Sequence, residues 1–104
     1  AEDIHLDSSV ADYLVALIRA TRSHPSVLLG ASPRAAIALA SAAKAYAFLQ
    51  HRTFVLPDDI KAMAPLVLGH RLHLRPEARM QGGQTAGVLS EIMSRLPVPV
   101  GLER

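Results

Sequence analysis

Val10, Tyr13, Leu14, Leu17 and Ile18 fall at i, i+3, i+4, i+7 and i+8, while Asp12, Arg19 and Arg22 project elsewhere. This spacing places the apolar residues on one face and predicts an amphipathic helix from Ser9. Ser9 and Asp12 have the spacing of a capping box, although aspartate reaches less far than the usual glutamate. His24-Pro25 closes the segment, because the residue before a proline is pushed out of the helical region.

Ser26 to Leu29 form a short apolar connector. Gly30-Ala31-Ser32-Pro33 follows, with a flexible glycine, a hydroxyl at the N-cap position and a proline at the first helical position. A second helix is predicted from there to Gln50. It is alanine-rich, and Ile37, Leu39, Tyr46, Phe48 and Leu49 are spread nearly all round it, which predicts a central helix with neighbours on several sides.

Thr53-Phe54-Val55 reads as a brief extended link. Leu56-Pro57-Asp58-Asp59 then starts a third helix, with proline in its first turn and two carboxylates at the positive end of the dipole. Its buried stripe is predicted as Ile60, Met63, Ala64, Val67 and Leu68. Pro65 cannot donate to the Lys61 carbonyl, which predicts a kink or a break. The period is lost from Gly69 to Gln84, where Gly82-Gly83 marks a loop and Arg71-Leu72-His73-Leu74-Arg75 alternates like a short strand. A last helix is carried by Val88, Leu89, Ile92, Met93 and Leu96 and stopped by Pro97 and Pro99. The expected fold is an all-α unit, a small bundle of four helices, with a short irregular or extended segment near residues 71–75.

Composition narrows the function without naming it. The chain has 104 residues, 50% hydrophobic and 19% charged, which suits one globular domain over residues 1–104 and no disordered chain. No apolar run approaches the ~20 residues of a membrane span. Ala1 to Ser9 carry acidic residues and no apolar stretch, unlike a signal peptide, so a cytoplasmic location is expected. The absence of cysteine excludes disulfides, thiolate metal sites and cysteine nucleophiles. Neither Lys44 nor Lys61 lies in a phosphate-cradling loop and no serine lies in a nucleophile elbow, so this chain is not expected to hydrolyse ATP by itself.

Arg34 stands out. It is a cation in the first turn of a helix, where unpaired N–H groups already carry positive partial charge and a second positive charge is disfavoured. A phosphate oxygen would be attracted to that combination, whereas the bland account is a side chain reaching out to solvent. Tyr13 and Leu14 are candidates to pack near an adenine, with plain core packing as the alternative. Asp58 and Asp59 diverge by ~100° on a helix and are better read as dipole stabilisers than as an acid/base pair. His70 and His73 have H-x-x-H spacing but no evident third ligand, so no metal site is expected. Together with Arg71, Arg75 and Arg79 they form a basic loop that is solvated or meets a neighbouring subunit or an acidic partner.

Several blocks occur in order: Thr21-Arg22, Val27 to Ala35, Ala43-Lys44-Ala45, Val55 to Ile60 and Val67 to Leu72. With them the chain resembles, over about residues 10–99, the C-terminal lid subdomain of MoxR-type AAA+ ATPases. Gly30 to Ala35 looks like that family's sensor 2 element. The resemblance implies a helical lid that folds over ATP held on a P-loop core of the same chain. Arg34 would reach the γ-phosphate, and Ser32 and Pro33 would set the helix start that aims it. ATP and Mg²⁺ would be held mainly by the core. Neighbouring subunits of a ring oligomer, and a protein with a von Willebrand factor A domain, would be partners in chaperone-like remodelling. Gly69 departs from the family pattern, standing where a larger residue is expected, which would loosen the end of the third helix. The alternative is a free-standing helical module that binds nucleic acid or an acidic protein. Nucleic acid is not the expected partner, because no helix is rich in Arg, Asn and Gln. A purely structural bundle is the third reading.

Overall fold

Asp7 starts the first helix, α1 (Ser8–Ser23), by accepting the Ser9 amide at 3.0 Å and the Ser9 hydroxyl at 2.6 Å. The cap therefore lies before Ser9, because a carboxylate outcompetes a hydroxyl as acceptor and Ser9 is already inside the first turn. The predicted stripe of Val10, Tyr13, Leu14, Leu17 and Ile18 is buried throughout, and Thr21 continues it. The structure, a computed structural model, describes residues 3–99. Residues 1–2 and 100–104 of the expected unit lie outside the described residues.

The second helix, α2 (Pro33–Leu49), begins at the predicted proline. It buries a single stripe, Ala35, Leu39, Ala43 and Ala47, against α1 and the third helix. The small side chains of Ala35, Ala43 and Ala47 in this stripe let neighbouring backbones come close. The expectation of neighbours on several sides is corrected here: Ile37 is 69% exposed, Phe48 61% and Leu49 69%. The helix ends in a Schellman-type cap, in which Arg52 N–H bonds the Ala47 carbonyl and His51 N–H the Phe48 carbonyl, both at 3.0 Å. His51 takes the left-handed conformation, φ 64°, that this cap requires and that glycine more often supplies.

The third helix, α3 (Pro57–Leu68), buries Ile60, Ala64 and Leu68 fully and Met63 and Val67 in part. It runs through Pro65 unbroken, since a donor lost in the last turn removes little of the hydrogen-bond ladder. Gly69 is required at its end. A Cβ there would lie 2.5 Å from the Pro65 carbonyl oxygen, and the glycine N–H bonds that same oxygen at 3.0 Å. Glycine thus allows the chain to pass close to the last turn of the helix.

The loop from Gly69 to Gln84 holds more structure than its irregular pattern predicts. The alternating segment supplies a strand, β2 (His73–Leu74), which pairs antiparallel with the connector, β1 (Val27–Leu29). Val27 faces Leu74, and both are buried. A short helix, α4 (Pro76–Met80), follows, so the described chain has five helices rather than four. No residue of α4 is buried, and hydrophobic periodicity had no inward face to register. The last helix, α5 (Thr85–Arg95), buries Val88, Leu89 and Ile92 and stops at Leu96, before Pro97. It packs on α1 and α3. Near the N-terminus His5 N–H bonds the Thr53 carbonyl and Val55 N–H the His5 carbonyl, which gives the predicted extended link a partner. No helix among the described residues is long and apolar enough to cross a membrane.

Candidate functional site

The start of α2 is positioned by side chains from the end of α1. Thr21 is fully buried and donates its hydroxyl hydrogen to the Ile18 carbonyl at 2.6 Å, while its oxygen accepts the Ala31 amide at 3.0 Å. Arg22 Nε donates to the Ala31 carbonyl at 2.9 Å. Both polar groups of the Ala31 backbone are therefore gripped from α1, two residues before helix α2 begins. Gly30 passes so close to Arg22 that a Cβ would sit 2.8 Å from the Arg22 Cα and Cγ. Glycine is needed there for close approach, and the Gly30 to Arg34 segment is fixed against α1 by packing as well as by hydrogen bonds.

From this anchored base the chain turns into the helix. Ser32 is the N-cap in extended backbone (φ −86°, ψ 167°), and its side chain makes no capping hydrogen bond. Pro33 fills the first helical position, where its missing N–H costs nothing. Arg34 follows in the first turn, exposed, with no hydrogen bond or ion pair for its guanidinium among the described residues. An unpaired planar cation thus faces solvent at a helix start that has no side-chain cap, where Pro33 carries no N–H and the Ala35 amide already donates to the Ser32 carbonyl at 2.9 Å. These groups fit an anion, and they offer nothing for a divalent cation. No group of three or more His, Cys, Asp or Glu among the described residues is placed to hold a metal.

The sequence-predicted residues divide in space. Ser32, Pro33 and Arg34 share the exposed rim of α2. Tyr13 lies on the inward face of α1, 4% exposed, and its hydroxyl has no hydrogen-bond partner. Burial, with the Asp58 carboxylate as a second cause, raises its phenol above the ordinary value and keeps it neutral. Leu14 is buried beside it on the same helix. Asp58 is exposed, whereas Asp59 is buried and bound by Arg52 through two hydrogen bonds of 2.6 Å each. Asp59 also accepts the Leu56 amide at 2.7 Å. Its role is therefore a structural ion pair and cap, more than the dipole effect read from sequence. The pair raises the Arg52 guanidinium further above its ordinary value.

Thr21 and Arg22 were given no role by periodicity. One signal could have found Thr21: it is a polar residue on an otherwise apolar stripe, and a buried hydroxyl calls for a partner.

Comparison with known proteins agrees with this geometry. The family model described as AAA lid domain matches residues 19–92. A Bacillus subtilis protein, YeaC, described as uncharacterized, is 50% identical over 99 residues, which cover 95% of this chain and 31% of that protein. Chaperone MoxR1 of Mycobacterium tuberculosis is 30% identical over 100 residues, 88% of this chain and 26% of its own length. A solved structure of a candidate ATPase from Cytophaga hutchinsonii is 34% identical with a TM-score of 0.89, over 95% of this chain and 33% of that one. The chain spans about a third or less of each of these relatives. A match from the end of α1 to the last buried residue of α5, on a fold shared almost end to end, establishes that the chain belongs to the AAA lid domain family, in its MoxR-type form.

Proposed function

We propose that this lid closes over ATP held on a separate P-loop core and that Arg34 senses the γ-phosphate there. The observation that carries the reading is the state of Arg34: exposed, unpaired among the described residues, and mounted on a helix start that Thr21 and Arg22 hold in place. A planar guanidinium can bind two phosphate oxygens at once. Each such charge-assisted bond contributes about 1.5–3 kcal/mol net, enough to shift lid closure by one to two decades. Ser32 and Pro33 set the direction of approach, and Arg34 acts as an electrostatic clamp with no part in proton transfer. Tyr13, 4% exposed on the inward face of α1, packs the lid's own core and is given no contact with the adenine.

The rest of the machine lies outside this chain. The nucleotide, Mg²⁺ and the catalytic carboxylates belong to the core in this proposal, and no step through the metal is assigned to residues here. The whole protein would work in the cytoplasm as a ring of subunits in chaperone-like remodelling, alongside a protein carrying a von Willebrand factor A domain. The relative named as a chaperone supports the remodelling part.

The test is Arg34→Ala in the core-containing protein. ATP binding should be largely retained while hydrolysis falls by about ten- to a hundred-fold, the shift expected from losing the clamp. Unchanged turnover would overturn the reading.

A further inference from the structure

The net charge of this chain comes from one short stretch. The chain carries +2, and residues 70–79 hold three arginines against one glutamate, so the remaining Lys, Arg, Asp and Glu balance. His70, Arg71, His73, Arg75 and Arg79 are all exposed, and no guanidinium of the three arginines has a hydrogen-bond or ion-pair partner among the described residues. Arg52 and Arg95, by contrast, are paired, with Asp59 and Glu91.

Arg79 borders a cleft of about 390 Å³ between the end of α3, β2, α4 and the start of α5, and Arg71 and Arg75 are the chain neighbours of its lining residues His70, Leu72 and Leu74. His70, His73 and Arg79 line it, with Gly69 and Thr85. Its walls are tied together. The Thr85 hydroxyl donates to the Gly69 carbonyl at 3.3 Å, and Gly83 N–H donates to the Ala78 carbonyl at 2.9 Å. A Cβ on Gly83 would lie 2.8 Å from that Ala78 oxygen, so glycine lets the α4 wall close in. The cleft is built by the fold and does not need a ligand to form it.

We infer that this cleft is a docking site for an acidic peptide segment of a partner protein, whose carboxylates meet Arg79, His73 and His70. Charge complementarity selects an anionic ligand. The exposure of the three arginines selects an extended one, because solvated charges each hold a single small anion weakly and a run of carboxylates gains from several contacts together. The volume likewise exceeds what one carboxylate or phosphate fills. Nucleic acid fits less well, since no Phe, Tyr or Trp lines the cleft to stack on bases. The inference is independent of Arg34 and of nucleotide.

The test is a titration of the full chain with a hexaglutamate peptide, read by amide chemical shifts, beside hexaglutamine, inorganic phosphate and an oligothymidine. Hexaglutamate should bind saturably, shift Gly69, His73, Arg79 and Thr85, and weaken as salt is raised. Arg79→Ala should weaken it by at least about five-fold, whereas Arg19→Ala, an equal loss of charge on the exposed side of α1, should change it by less than about two-fold. Failure of hexaglutamate to bind, or equal losses in the two variants, would overturn the proposal. Phosphate or oligothymidine binding as tightly as the peptide would also overturn it, by reassigning the cleft to a small anion or to nucleic acid.

Discussion

The hydroxyl of Thr21 accepts the amide of Ala31 at 3.0 Å inside the core, which joins the end of α1 to the approach of α2. Replacement by the near-isosteric valine leaves a buried N–H without an acceptor, a cost of about 1–3 kcal/mol. Thr21→Val should lower the urea midpoint of the chain by the corresponding amount, and hydrogen exchange at Ala31 should quicken. An unaltered midpoint would mean that the Gly30 to Arg34 segment is held by packing alone.

Arg52 and Asp59 form a fork-to-fork pair whose carboxylate is only 1% exposed. Arg52→Met would strand that charge with the Leu56 amide as its remaining donor, and breaking a buried pair from one side costs about 3–5 kcal/mol. A fall of that size in unfolding free energy is expected. Arg52→Met combined with Asp59→Leu should recover much of it, because no buried charge then remains uncompensated.

Glu91 reaches from α5 to His24 Nε2 at 2.6 Å and to Arg95 at 3.1 Å. His24 Nδ1 accepts the Ser26 amide at 3.0 Å, so it is the Nε2–H that faces Glu91. The His24 hydrogen bond first, then the Arg95 charge, hold the Glu91 carboxyl below its ordinary value of 4.5. A carboxyl depressed in the folded state adds stability that is fully present above the unfolded value and is lost as pH falls through the lowered one. Thermal unfolding of Glu91→Gln should therefore differ most from the wild type above about pH 4.5 and converge with it on acidification. A constant difference down to the lowest pH would show that the contact does not depend on the ionised carboxylate.

Arg34 is exposed and unpaired among the described residues, so its removal should barely touch the fold. Arg34→Ala is expected to change the stability of this chain by no more than about 0.5 kcal/mol. A loss well beyond that in a denaturant titration would mark it as a structural residue, against the sensing role proposed for it.

Much of the helical framework could be read along the chain. Every position of the predicted α1 stripe is buried, and α2 starts at Pro33 as its proline and glycine signals indicate. Where the reading fell short, the cause was local in each case. Ile37, Phe48 and Leu49 made α2 look encircled, yet the fold uses its alanine stripe instead, since hydrophobicity alone does not say which apolar face finds a neighbour. Helix α4 buries nothing and left no periodic trace.

The sequence by itself determined the starts of α2 and α3, the inward face of α1 and the unusual placing of Arg34, because these depend on neighbours within a turn or two along the chain. Only the tertiary structure decided that β1 meets β2, that Thr21 and Arg22 grip Ala31, and that His70, His73 and Arg79 border one cleft. Those relationships join segments separated in sequence, and no local pattern encodes them: they exist because packing α1, α3 and α5 together brings otherwise unrelated loops within hydrogen-bonding reach.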